Sequence, residues 1–118
     1  MTLICGRVNF FSGPHLVFKY WLRGKFMRII IVGCGKVGSS IASELNLEGH
    51  EISVVDINHG AVDKLANSLD VLGIEGNGAT YDVLIEAGAE YADLLIAATA
   101  RDEINLYSCL MAKAAGVT

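Results

Sequence analysis

From Met27 onward, apolar positions switch repeatedly between short continuous runs and helical spacing. Residues 28–33 form an apolar run that predicts a buried strand, and Val37, Ile41, Ala42 and Leu45 then recur at helical spacing over residues 37–48, with Gly49 as the stop. Residues 51–56 are β-branched and predict a second strand. Residues 59–69 carry Val62, Leu65, Ala66 and Leu69 on one helical face. Residues 71–75 predict a short third strand. Residues 80–87 predict a short helix whose Thr80 hydroxyl is placed to accept a first-turn N–H. Residues 93–98 predict a fourth strand. Residues 102–115 predict a last helix, with Asp102 and Glu103 at its positive end, Lys113 near its negative end and Gly116 beyond it.

This alternation predicts an α/β fold: a Rossmann-like, doubly wound parallel sheet of order 3-2-1-4, covered on both faces and ending after the fourth strand–helix unit. The ligand crevice of such a sheet lies at the carboxyl ends of the strands, between strands one and four. With no further strand beside it, strand four would keep an exposed apolar edge, which invites pairing. That edge is expected to be covered by another copy of the chain, in a homo-oligomer, or by part of the N-terminal leader.

The candidate chemistry sits at the first turn. Gly33-Cys34-Gly35-Lys36-Val37-Gly38 follows strand one and opens the first helix, and Asp56 closes strand two. A glycine triplet alone is weak, but between a strand and a helix, with an acid about 20 residues on, it is a dinucleotide-binding signal. Gly33 suits the tight turn, Gly35 lets backbone approach a pyrophosphate, and Gly38 lets helix and strand pack closely. The helix start presents N–H groups and the positive dipole end to phosphate. Asp56 is placed to accept ribose hydroxyls. Residues 57–60 (Ile57, Asn58, His59, Gly60) hold no Lys or Arg for a 2′-phosphate, which favours NAD or NADH over the phosphorylated coenzymes and leaves ATP or ADP open. Two further loops reach the crevice. Asn77 and Gly78 follow strand three, on the adenine side, and Ala98, Thr99 and Asn105 follow strand four.

Composition narrows the partners. The formal net charge is −4, and all thirteen acids lie between Glu44 and Glu103. The body is acidic, which argues against nucleic acid. Residues 1–26 instead hold Arg7, Lys19, Arg23 and Lys25 and no acid, and they read as a leader or extension with little structure of its own, ahead of a domain over residues 27–118. Within it, Leu16 to Arg23 mixes aromatics and bases in a way that suits a membrane surface or a partner subunit. Cys5, Cys34 and Cys109 have no metal-type spacing, so reduced thiols in the cytoplasm are the natural reading. Cys34 reads as a small residue filling the loop. Cys109 reads as core, on a face shared with Leu106 and Leu110. His50, ahead of strand two, is expected to be solvated, and His59 lies on the adenine side. Hydride transfer needs an acid or base beside the nicotinamide, usually from a second domain, so catalysis is under-supplied.

Taken together, these stretches resemble the N-terminal domain of TrkA-type potassium-uptake regulators, the KTN or RCK domains. The resemblance rests on residues 29–38, Val54-Val55-Asp56, Gly76-Asn77-Gly78-Ala79, residues 92–99 and Asp102-Glu103-Ile104-Asn105. It implies a non-enzymatic regulatory subunit domain that binds NAD(H) or an adenine nucleotide. Such a domain is cytoplasmic, peripheral to the inner face of the cell membrane, and sets the activity of a membrane potassium transporter subunit. It implies cofactor contacts at Gly33, Gly35, Lys36, Val37, Gly38, Asp56, Asn77 and Thr99, with Cys34, Ile57, Gly78, Ala98 and Asn105 beside them. Many members carry Asp where this chain has Asn77. The family's final strands and second ligand-binding domain have no counterpart here, so the chain reads as a fragment. The alternatives are the coenzyme domain of an NAD-dependent dehydrogenase lacking its substrate domain, and an interaction module that binds no ligand.

Overall fold

The computed structural model describes residues 1–6 and 26–117, and the expectations for Leu16 to Arg23 lie outside them. Strands are β1 (Leu3–Gly6), β2 (Arg28–Val32), β3 (Glu51–Asp56), β4 (Leu72–Glu75) and β5 (Leu94–Ala97). Helices are α1 (Lys36–Leu47), α2 (His59–Ser68), α3 (Tyr81–Glu86) and α4 (Asp102–Ala115), with a 3-10 turn at Ala89–Tyr91 that the periodicity did not signal. Each element expected from residue 27 onward is present, with ends within two residues of the expectation.

The described sheet has the order β1-β5-β2-β3-β4. Its four parallel strands follow the expected 3-2-1-4 order, and the fifth corrects that expectation. β1, from the leader, pairs antiparallel along β5, with Leu3 opposite Ala97 and Gly6 opposite Leu94. All four residues of β1 are buried. Leaving them in water would expose both the apolar side chains and the ladder N–H groups of β5, and here a segment of the same chain covers that edge.

Alternation along the strands divides the core. Ile29, Ile31, Ile52, Val54, Leu94 and Ile96 pack under α1 and α2 with Ile41, Leu45, Val62 and Leu65. Ile30, Val32, Val55, Ile74 and Leu95 pack on the other face with Leu84, Cys109 and Ala112 of α3 and α4. Strands buried on both faces read as continuous apolar runs, which is why β2 is Arg-Ile-Ile-Ile-Val.

Three local expectations are corrected. The buried face of α4 is Asn105, Ser108, Cys109, Ala112 and Ala115, so Cys109 is core, but Leu106 and Leu110 are about half exposed on the opposite side. His50 is buried rather than solvated: its Nδ1 accepts the Met27 N–H at 3.0 Å, tying the start of β2 to the turn before β3. Thr80 makes no side-chain cap, and its hydroxyl instead donates to the Asn77 carbonyl at 2.8 Å.

Candidate functional site

The carboxyl ends of the four parallel strands carry the glycine loop, Asp56 and the two loops after β4 and β5. A broad groove also opens at the amino ends, lined in part by Arg28, His50, Glu51, Asp70, Glu86 and Tyr91. Right-handed strand–helix–strand units aim their helix N-termini at the carboxyl end, so the anion chemistry belongs there.

Gly33 turns the chain out of β2 at φ +110°, and its N–H donates to the Val55 carbonyl at 2.7 Å. Gly35 is the N-cap of α1, in extended conformation and with no side-chain cap; a Cβ there would meet nothing within 4 Å. Gly35, Lys36 and Val37 are exposed, so the first turn of α1 faces open space. Gly38 is buried, and a Cβ on it would stand 1.8 Å from the Gly33 carbonyl oxygen. The three glycines therefore do three jobs: turn, open cradle and close packing.

Asp56 does more than the sequence reading assigned to it. Its half-buried carboxylate accepts the Cys34 N–H at 2.7 Å and the Asn58 N–H at 2.9 Å. It braces the glycine loop against β3, and a carboxylate has lone-pair directions left for ribose hydroxyls. Nothing in the residue types signals this link. It arises from the parallel register of β2 and β3, which sets Val32 beside Val55 and so brings the next residues together.

Cys34 lies under the loop, buried. Desolvation, with the Asp56 charge behind it, pushes its thiol up to about 11. It is therefore a neutral thiol at neutral pH, a filler and not a nucleophile. Because the folded-state value lies above the ordinary 9.0, Cys34 supports folding fully below pH 9 and loses that support as pH rises toward 11. Urea melts of wild type and Cys34→Ala should diverge across this window, with the alkaline loss smaller in the variant. Parallel curves would show that the thiol titrates normally.

The loop after β4 is a turn of its own making: Asn77 Oδ1 accepts the Ala79 N–H at 2.9 Å, leaving its amide NH₂ as the group able to donate to a base. Gly78 is buried against Val32. Ile57 is exposed beside Asp56, and Ala98 is buried, its N–H donating to the Val32 carbonyl at 2.8 Å.

Thr99 and Asn105 form a closed unit. Asn105 Oδ1 accepts the Thr99 N–H at 2.9 Å and the Thr99 hydroxyl at 2.7 Å, while its Nδ2 donates to the Met1 carbonyl at 2.7 Å and the Thr99 carbonyl at 3.2 Å. Asn105 is fully buried. With both ends of its amide engaged, it positions the β5–α4 corner and β1 instead of reaching into the crevice. Among the described residues no group of three His, Cys, Asp or Glu side chains could hold a metal ion, and no helix is long and apolar enough to cross a membrane.

A parallel sheet with this glycine corner at its switch point defines a Rossmann-like α/β domain. The TrkA-N domain family model matches residues 29–117, and the chain belongs to that family. The Trk system potassium uptake protein TrkA of Azorhizobium caulinodans is 42% identical over 83 residues, covering 70% of this chain and 18% of that protein. That of Vibrio alginolyticus is 41% identical over 86 residues, covering 73% and 19%. A TrkA homolog of Pyrococcus abyssi is 34% identical over 87 residues, covering 74% and 38%. The chain thus spans about a fifth of the first of these relatives. Among solved structures, the Bordetella bronchiseptica enzyme WbmG in complex with NAD is 30% identical at a TM-score of 0.44, over 58% of this chain and 23% of that one.

Proposed function

We propose that this chain is the regulatory nucleotide-binding domain of a potassium-uptake system, taking NAD(H) or another adenosine diphosphate compound at the carboxyl ends of β2 and β3. The observation that carries the proposal is the uncapped, exposed start of α1, where Gly35 leaves open space and the Asp56 carboxylate holds the loop in place. In this reading the amides of Gly35, Lys36, Val37 and Gly38 grip the diphosphate, Asp56 takes the ribose, Ile57 and Asn77 flank the adenine, and Gly33, Cys34, Gly78, Ala98, Thr99 and Asn105 shape the walls. When bound, the nucleotide supplies a charge and a shape that one arrangement of paired domains accommodates better than another, and that difference is what reaches the transporter.

Membership of the TrkA-N family, and relatives named as potassium uptake proteins, support regulation over catalysis. The domain would work in the cytoplasm against the inner face of the membrane, in a homo-oligomer beside the transporter subunit.

Calorimetry with NADH, NAD⁺, NADPH and ATP tests the binding. At least one unphosphorylated-ribose nucleotide should bind in the micromolar range or tighter, and silence toward all four would overturn the proposal. The transport half is tested by carrying a binding-defective substitution into the gene in its own host. Potassium uptake at limiting external potassium should then lose its response to nucleotide supply, and an unaltered response would remove transport from the reading.

A further inference from the structure

Asp56 and Glu75 end neighbouring parallel strands as register partners. Three residues after Asp56 comes His59, the first residue of α2 and the side chain within residues 57–60 that can become a cation. Its Nδ1 lies 2.9 Å from Glu75 Oε1, and its Nε2 lies 2.9 Å from Asp63 Oδ2 one turn along the helix. Both ring nitrogens are thereby committed to carboxylates. All three side chains are more than half exposed, so a ligand can reach what solvent reaches.

A ribose 2′-phosphate needs cations to pair with, and in folds of this kind an arginine close to the end of the second strand of the motif supplies one. Here that neighbourhood offers one imidazole held between two acids. With His59 protonated the three groups still sum to a single negative charge, and with it neutral they sum to two. Asp56 adds another beside them. We propose that Glu75 and Asp63 are specificity determinants of the nucleotide site. By bracketing His59 they withhold its imidazolium from a 2′-phosphate and add repulsion against it, so the site selects a ribose with a free 2′-hydroxyl. This rests on the nucleotide reading above and adds two residues that lie outside the glycine loop and the ribose acid. Discrimination of this kind works by repelling the competitor as much as by attracting the preferred ligand.

ADP-ribose and 2′-phospho-ADP-ribose differ only in the group at issue, and both can be titrated calorimetrically into the full chain. The wild-type protein should bind ADP-ribose at least about tenfold more tightly. The double variant Glu75→Gln/Asp63→Asn should strengthen binding of the 2′-phosphate compound by about tenfold and leave ADP-ribose within roughly twofold. Adding His59→Gln to that background should take back a large part of the gain, because the freed imidazole supplies that part and relief of repulsion supplies the rest. Exposed ion pairs contribute little to folding, so the melting temperatures should stay close to wild type. An unchanged ratio in the double variant, or a gain that His59→Gln leaves whole, overturns the bracket while leaving the nucleotide site standing. Failure of the wild-type protein to bind either compound overturns the site itself.

Discussion

Gly38→Ala should lower the melting temperature by roughly 10 °C or more, although alanine is the better helix former. The helical backbone at this position accepts any L-residue, and the exchange by itself should favour α1 by roughly 1 kcal/mol. Against that stands a methyl group 1.8 Å from the Gly33 carbonyl oxygen. The obstacle is backbone and not the free end of a side chain. Either α1 slides off the turn or the turn opens, and opening it strains the 2.7 Å Gly33 N–H to Val55 carbonyl bond at the carboxyl ends of β2 and β3. Overpacking against a fixed wall costs about 3 kcal/mol or more, so the clash outweighs the propensity. Thermal unfolding followed by circular dichroism measures the outcome. A melting temperature at or above wild type would mean that α1 does not lie against the turn as described.

The same loop predicts the opposite result three residues earlier. Gly35→Asp should leave the melting temperature unchanged or slightly raised and weaken nucleotide binding by about a hundredfold. Gly35 is already in the extended conformation of an N-cap, and a Cβ there touches nothing. Aspartate is a preferred N-cap whose carboxylate can accept a first-turn N–H and complement the helix dipole. It would also fill the cradle with a negative charge. Repulsion between unit charges at near contact is about 4 kcal/mol at an effective dielectric of about 20, and salt screening reduces it toward the value expected here. Calorimetry with NADH on wild type and variant, beside melting curves of both, reads the two effects separately. Retained affinity in a folded variant would move the diphosphate away from the start of α1.

Much of this architecture could be read from the residues. The runs Ile29-Ile30-Ile31 and Leu94-Leu95-Ile96 are apolar on both faces because helices cover both faces, and the glycine triplet lies where strand gives way to helix. The edge of β5 was legible as a problem: its solution by Leu3–Gly6 was one of two options, and pattern cannot choose between strands of one chain and another. His50 looked like a surface residue because it follows Gly49 in a polar turn. Its burial depends on the Met27 N–H arriving from 23 residues earlier in the sequence. Thr99 and Asn105 meet at one corner, and residue type alone does not show that an amide is already saturated by its own loop. The link from Asp56 to Cys34 is of the same kind: it belongs to the strand register, and a linear string of residues holds no register until the sheet forms.

The reversed direction of β1 has a practical outcome. Running against β5, it carries Met1 to the carboxyl ends of the parallel strands, where the nucleotide is proposed to sit, beside Asp102 and Asn105 at the start of α4. Val117 leaves from the other end, past Gly116, which packs on Glu90. An affinity handle or fluorophore fused ahead of Met1 would hang over the mouth of the crevice and compete with whatever enters it. One fused after Thr118 would follow Val117 away from that end, so tags for titrations belong there.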